Sequence, residues 1–160
     1  MLRPLREVAD RVLDTSALTV HELRAVLREL VERAGPGTMT VSLVSFGYKY
    51  GLPSDADLAI DCRFLPNPFF VEELRHRTGA DPAVAEYVLA REETEEFLRR
   101  LTDLLDFALP RYQREGKSYL TLALGCTGGR HRSVVLVDEL QRRLAARGHG
   151  VLVRHRDVER

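Results

Sequence analysis

The segment Leu124-Gly125-Cys126-Thr127-Gly128-Gly129-Arg130-His131-Arg132-Ser133 gathers glycines, hydroxyls, a thiol and cationic side chains into ten residues. Glycines let backbone N–H groups come close to an oxyanion, and a following helix would add unpaired amides and a partial positive charge. Thr127 and Ser133 supply hydroxyls, while Arg130, His131 and Arg132 supply cationic or switchable donors. The combination reads as a cradle for phosphate or a similar oxyanion. The same residues satisfy C-x5-R-S: Cys126, five residues, Arg132, Ser133. That spacing would suit a cysteine-dependent phosphatase, in which a Cys126 thiolate would attack phosphorus while Arg132 clasped two phosphate oxygens. Such chemistry also needs a general acid from another loop, and the sequence identifies none. The bland alternative is a tight strand-to-helix turn with solvated arginines and a spectator cysteine.

Two further loops follow expected strands. Phe46-Gly47-Tyr48-Lys49-Tyr50-Gly51 sets Lys49, one of two lysines in the chain, between aromatics and glycines. Cys62-Arg63-Phe64-Leu65-Pro66-Asn67-Pro68 sets Arg63 just past a strand and Asn67 in a stiff turn. Lys49 and Arg63 would reach an anion, and Asn67 would hydrogen-bond sugar hydroxyls. Against that stand a surface loop with a snorkelling lysine and a structural turn in which Asn67 satisfies backbone groups. Asp55 and Asp57 read as turn caps and Cys62 as a small buried hydrophobe. No Walker A run, G-x-x-x-x-G-K-[ST], occurs, and His155-Arg156-Asp157 resembles a kinase triplet only by chance. No Cys/His set has zinc spacing, so neither a metal nor a cofactor is expected.

Lys plus Arg and Asp plus Glu each total 24, so the formal charge is zero and neither a basic arm nor an acidic tail dominates. The balance is uneven along the chain: residues 111–160 hold 11 basic and 5 acidic side chains. That basic third, through Arg142, Arg143, Arg154 and Arg156, is the candidate RNA contact. No hydrophobic run exceeds four residues, against ~20 for a membrane helix, and no signal-peptide core is visible at Met1–Glu7. Two cysteines without export signals fit a reducing cytoplasm. The expectation is a soluble cytoplasmic protein without membrane attachment.

These groups must be positioned by a framework, and the hydrophobic pattern supplies one. A short alternating run at Asp10–Thr15 and a capped helix over Leu18–Ala34, with Thr19 and Glu22 as its capping box, precede a Gly35-Pro36-Gly37 linker. Residues 1–35 therefore form a strand–helix appendage, and residues 38–160 the main domain. Within it, strands are expected at Met39–Phe46, Leu58–Cys62, Ser118–Leu124 and Val151–Arg154. Helices are expected from Asp81-Pro82 to Ala90, over Glu92–Gln113 with Pro110 kinking or ending it, and over His131–Arg147. The order implies an α/β fold: a compact mixed or mostly parallel sheet with helices on its faces.

Three motifs in order carry a resemblance: Ser45–Pro53, Asp61–Pro68 and Gly125–Ser133 together resemble the C-terminal domain of the RapZ family, bacterial P-loop proteins described as nucleotide-binding proteins or RNase adapters. The likeness spans residues 38–157. Residues 9–24 look like the end of that family's P-loop domain, which would make this chain a C-terminal portion. The resemblance implies an α/β domain reminiscent of a phosphofructokinase subdomain. It implies a non-catalytic regulatory role: binding a phosphorylated metabolite such as glucosamine-6-phosphate, contacting RNA, and contributing to homo-oligomers. Phosphate would fall to the glycine loop and Lys49. Phe69 stands where the enterobacterial branch has a histidine implicated in metabolite sensing. A cysteine phosphatase and a pure oligomerisation module are the alternatives.

Overall fold

In the computed structural model, the described residues are 39–160 together with Thr15, Ser16, Leu18, Thr19 and Leu23. The chain divides into two units, Met1–Gly37 and Thr38–Arg160. In the first, Leu23 N–H donates to Thr19 O at 2.9 Å, a helical i→i−4 bond. Otherwise the strand expected at 10–15, the helix over 18–34 and the linker at 35–37 lie outside the described residues.

The second unit holds four strands and three α-helices. β1 (Thr40–Gly47) and β3 (Tyr119–Cys126) are β-branched and leucine-rich, and their residues are buried on both sides, as central parallel strands require. β2 (Leu58–Asp61) and β4 (Gly150–His155) are the edges, giving the order β2-β3-β1-β4 with every pairing parallel. α1 (Pro82–Leu89) starts at Asp81, whose carboxylate accepts the Ala83 N–H at 2.9 Å, with Pro82 in the first turn. α2 spans Glu92–Arg114, and α3 Arg132–Ala145.

α2 runs on through Pro110, in keeping with the expected range Glu92–Gln113; of the two outcomes expected at the proline, it does not end the helix. It sits on the exposed side of the helix, while Leu105 and Leu109 stay anchored in the core. The neighbouring Phe107 carbonyl accepts Arg111 Nη1 at 2.6 Å.

Leu98, Leu101, Leu105 and Leu109 of α2 and Leu136, Leu140 and Leu144 of α3 pack with Val41, Leu43, Leu120, Leu122 and Leu124 on one face of the sheet. The other face carries a smaller cluster, Val44, Phe46 and Ala123, flanked by Tyr48 and Ala56. Because the strands are all parallel, the segments leaving Gly47, Asp61, Cys126 and His155 emerge at one edge. Open α/β sheets hold ligands at that edge.

Candidate anion-binding site

The turn from β3 into α3 is built as a receptor for negative charge. α3 begins at Arg132, and no side chain caps its N-terminus, so its first-turn amides lack a protein partner of that kind. A pocket of about 290 Å³ opens over the turn, lined by Cys126, Thr127, Gly128, Arg130, His131 and Arg132. Lys49 and Tyr50 close it from the short 3-10 turn after β1, and Asn67, Phe69 and Arg75 from the segment after β2. Arg160 completes the lining. Cationic side chains thus converge from four separate stretches of chain, and no carboxylate is among the lining residues.

Arg132 is the centre of this arrangement. Its side chain is buried, with the residue 4% exposed, an unusual place for a guanidinium without an ion-pair partner. Nη1 donates to the carbonyls of Arg63 and Leu65 at 2.7 and 2.9 Å, which fixes the plane of the group. Nη2 makes only a 3.3 Å bond to Thr127 Oγ1, and the buried Nε has no partner. One side of the fork is therefore tied to the protein, and the Nε/Nη2 edge, the geometry that grips two oxygens of a phosphate, is left over. His131, 9% exposed, likewise has an unpartnered Nε2, as does Arg130 at its Nε. Burial, reinforced by the charges of Arg130 and Arg132 and opposed by backbone carbonyls of Arg77 and Arg75, holds the His131 pKa below its ordinary value.

Cys126 is buried at the end of β3. Its sulfur accepts the Gly129 N–H at 3.3 Å and lies 3.2 Å from Ser133 Oγ. Cys62 is a different kind of cysteine: fully buried, it donates to the Gly125 carbonyl at 2.8 Å, and burial pushes its thiol far up, as for an inert core residue.

The loop is held in place by close backbone packing. A Cβ on Gly47 would lie 2.5 Å from the Gly128 carbonyl carbon and 2.8 Å from Gly129 N. Gly129 adopts φ +77°, and a Cβ there would lie 2.6 Å from Gly47 N. The Lys49 N–H donates to Thr127 O at 3.1 Å across the same seam. Beneath it, Asp157, fully buried, accepts the Gly47 N–H at 2.8 Å and pairs with Arg156 at 2.7 Å. Burial alone would raise the Asp157 pKa; Arg156 and the Gly47 amide outweigh it and hold the carboxyl below its usual range.

Of the residues singled out from sequence, Lys49, Asn67, Cys126, Thr127, Gly128, Arg130, His131 and Arg132 come together at the pocket. Gly129 and Ser133 lie behind it, supporting the loop and the thiol. Arg63 turns away: it forms a two-pronged pair with Asp61 and stacks on the Tyr48 ring, 4.2 Å from its centroid. Asn67 caps the 3-10 turn at Pro68–Phe70, accepting the Phe69 N–H at 3.3 Å, while also facing the pocket. Tyr50, Arg75 and Arg160 were missed, because nothing local distinguishes them from other surface residues; Phe69, noted in the sequence only for standing where the enterobacterial branch has a histidine, also lines the pocket. Asp157 was missed too; an acidic residue amid the basic stretch Arg154–Arg160 was the available signal. The four candidate RNA contacts are all engaged by carboxylates. Arg142 pairs with Glu139, Arg143 with Glu95 and Glu139, Arg154 with Asp55, and Arg156 with Asp157.

Among the described residues, no group of His, Cys, Asp or Glu is arranged to hold a metal ion, and no helix is long and apolar enough to cross a membrane. Fold and site together define a parallel α/β domain with a glycine-rich, cation-lined turn at the carboxyl edge of its sheet. Residues 39–159 match the RapZ C-terminal domain, and the chain belongs to that family. It is similar to proteins called nucleotide-binding protein from Anaeromyxobacter sp. (strain K), at 56% identity over 99% of this chain and 54% of that protein, and from Myxococcus xanthus, at 51% over 99% and 55%. A third, from Frankia alni, is 56% identical over 100% of this chain and 55% of its own length. The chain spans about half the length of the curated relatives it matches.

Proposed function

We propose that this domain is a regulatory module that binds a phosphorylated small molecule in the Gly125–Ser133 turn, without catalysing its conversion. The observation that carries the reading is Arg132: a buried guanidinium lining a pocket without carboxylates, with Nη1 anchored to two carbonyls and Nε without a partner. The protein tolerates a desolvated cation only where something compensates it, and an oxyanion supplies both charge and acceptor oxygens. The family membership supports the same reading, since the resemblance implies a phosphorylated metabolite at this turn. The relatives' name refers to proteins nearly twice this length. No P-loop nucleotide site is proposed for these 160 residues, in which no Walker A run occurs.

The test is ligand binding by thermal shift and calorimetry with inorganic phosphate and sugar phosphates. Arg132→Ala should weaken phosphate binding by ~1.5–3 kcal/mol, the worth of a charge-assisted contact, and Cys126→Ser should leave it within about threefold. Equal affinity in wild type and Arg132→Ala would remove the basis of the reading.

A second reading is kept because Cys126 has a hydroxyl at 3.2 Å and an amide donor at 3.3 Å on its sulfur. In it, Cys126 is a phosphoryl-accepting nucleophile. The absence of a carboxylic acid from the pocket lining places it second, since leaving-group protonation lacks a donor of that type. Hydrolysis of an aryl phosphate that Cys126→Ser abolishes would promote it. RNA contact through the basic C-terminal third is likewise proposed only as an accessory property, given the pairing of its arginines.

A further inference from the structure

The two cysteines of the chain meet at one place in the sheet. Cys62 follows directly on β2 and Cys126 ends β3; the residues just before them, Asp61 and Gly125, are the last pair of the parallel β2–β3 ladder. The Cys62 N–H continues that ladder by donating to the Gly125 carbonyl at 2.8 Å. Side chains alternate along a strand, so Cys62 shares its face with Leu58 and Ile60, and Cys126 shares its face with Leu122 and Leu124. All six pack in the same core cluster, so the two faces are one. Opposed positions on neighbouring strands are separated by the strand spacing of ~4.7–4.9 Å, inside the Cα separation of ~4.4–6.8 Å that a disulfide spans.

The two thiols differ in access and in company. Cys126 lines the pocket, and its sulfur has the Gly129 N–H at 3.3 Å and the Ser133 hydroxyl at 3.2 Å. A small oxidant that enters the pocket reaches it. Cys62 is 0% exposed and lies behind, its thiol donating to the Gly125 carbonyl at 2.8 Å. Burial first, and the nearness of Cys126 after it, hold Cys62 protonated, so by itself it is inert to an oxidant from solvent. It has one reactive neighbour, the sulfur across the ladder.

We propose that Cys62 and Cys126 are a peroxide-responsive thiol pair, in which Cys126 is oxidised first and Cys62 then closes an intramolecular disulfide between the ends of β2 and β3. In the first step the Cys126 sulfur, as thiolate, attacks one oxygen of hydrogen peroxide. An S–O bond forms, the O–O bond breaks, and the departing hydroxide takes up the thiol's proton and leaves as water; Cys126 becomes a sulfenic acid. In the second step the Cys62 sulfur attacks the Cys126 sulfur. The S–S bond forms, the S–O bond breaks, and the hydroxyl leaves as water with the Cys62 proton. Two electrons pass from the pair of sulfurs to the peroxide, which ends as two waters. A reducing thiol from solution restores both cysteines by exchange. While the disulfide persists, the pocket wall presents no thiol.

The test exposes the 160-residue chain to hydrogen peroxide at neutral pH, blocks the remaining thiols by alkylation in denaturant, and maps the peptides by mass spectrometry with and without reductant. One cross-linked peptide pair joining Cys62 to Cys126 is expected, formed at a rate that does not change when the protein is diluted, and lost on reduction. Cys62→Ala should stop at a sulfenic acid on Cys126 that dimedone labels. Cys126→Ser should leave Cys62 a free thiol after the same exposure. Cross-links between two chains, dimedone label on Cys62, or a sulfenic acid that persists on Cys126 in the wild type without cross-linking would overturn the proposal. So would two free thiols in wild type under conditions that oxidise a cysteine peptide in solution. Circular dichroism checks the folding of each variant beforehand; if either is unfolded, the wild-type peptide map and its response to dilution decide.

Discussion

Substituting Gly47 by alanine tests whether the pocket depends on the backbone seam beneath it. Gly47 has φ −104°, which alanine adopts without strain, so the effect is purely steric. The new methyl would sit 2.5 Å from Gly128 C, 2.7 Å from Gly128 O and 2.8 Å from Gly129 N, all backbone atoms that cannot rotate aside. Carbon contacts are optimal at ~3.5–4.0 Å, so the turn must retreat by roughly 1 Å or β1 must shift. Overpacking of that size costs ~1–3 kcal/mol, which for a chain of this length lowers Tm by roughly 3–10 °C. A retreat of that order also separates Thr127 and Gly128 from the Arg132 edge, at the cost of about one charge-assisted hydrogen bond, ~1.5 kcal/mol or roughly tenfold in anion affinity. Circular dichroism melts and phosphate titrations read the two effects independently. Gly51→Ala is the control: a Cβ there meets nothing within 4 Å, but φ +79° with ψ 165° strains alanine by ~1–3 kcal/mol, so it should lower Tm comparably without weakening the anion. If Gly47→Ala melts and binds as wild type, the seam does not hold the site.

Asp157→Ala should cost ~2–4 kcal/mol, since it leaves the buried Gly47 N–H and Arg156 without their acceptor, and Asp157→Asn should cost less; chemical denaturation decides. Because the Asp157 carboxyl is held below its ordinary 3.8, its contribution is fully present above that value and is lost as pH falls further, an acid limb that Asp157→Asn should flatten. His131 has a folded pKa below 6.5, so the unfolded chain takes up its proton first and stability falls as pH drops below 6.5 towards the folded value. A bound anion reverses that penalty. Stabilisation by sulfate, whose own charge is constant, should therefore grow between about pH 7.5 and pH 5.5 and become flat in His131→Gln; a pH-independent wild type would refute it. RNA affinity, measured against salt, should show a log–log slope no steeper than about −1.5, roughly two phosphates at ~0.7 each, because the surface arginines are already paired; a steep slope would contradict this.

Local patterning was enough to read the α/β class, the first strand (expected at Met39–Phe46, found at Thr40–Gly47), the capped start of α1 at Asp81-Pro82 and the placement of the glycine loop between a strand and a helix. Each rests on forces that act between near neighbours: side-chain period, cap geometry and glycine's backbone freedom. The outcome at Pro110 was not legible, since whether a proline stops a helix depends on which way it faces, and that is set by leucines packing against a sheet far away in sequence. The partition of the arginines was not legible either. Arg63, Arg130 and Arg132 look alike in the chain, yet the first is neutralised by Asp61 two residues away while Arg132 reaches carbonyls 69 and 67 residues distant. Arg75 and Arg160 enter the pocket only because the parallel sheet delivers the ends of its strands to one edge. Asp157 meets Gly47 across 110 residues, and Gly47 meets Gly128 and Gly129 across the β1–β3 pairing. The sequence determined which donors the chain owns and the turn that can present them. Which donors lack a partner, and so remain available to an anion, was decided by the tertiary structure, because pairing depends on distance in space and not on separation along the chain.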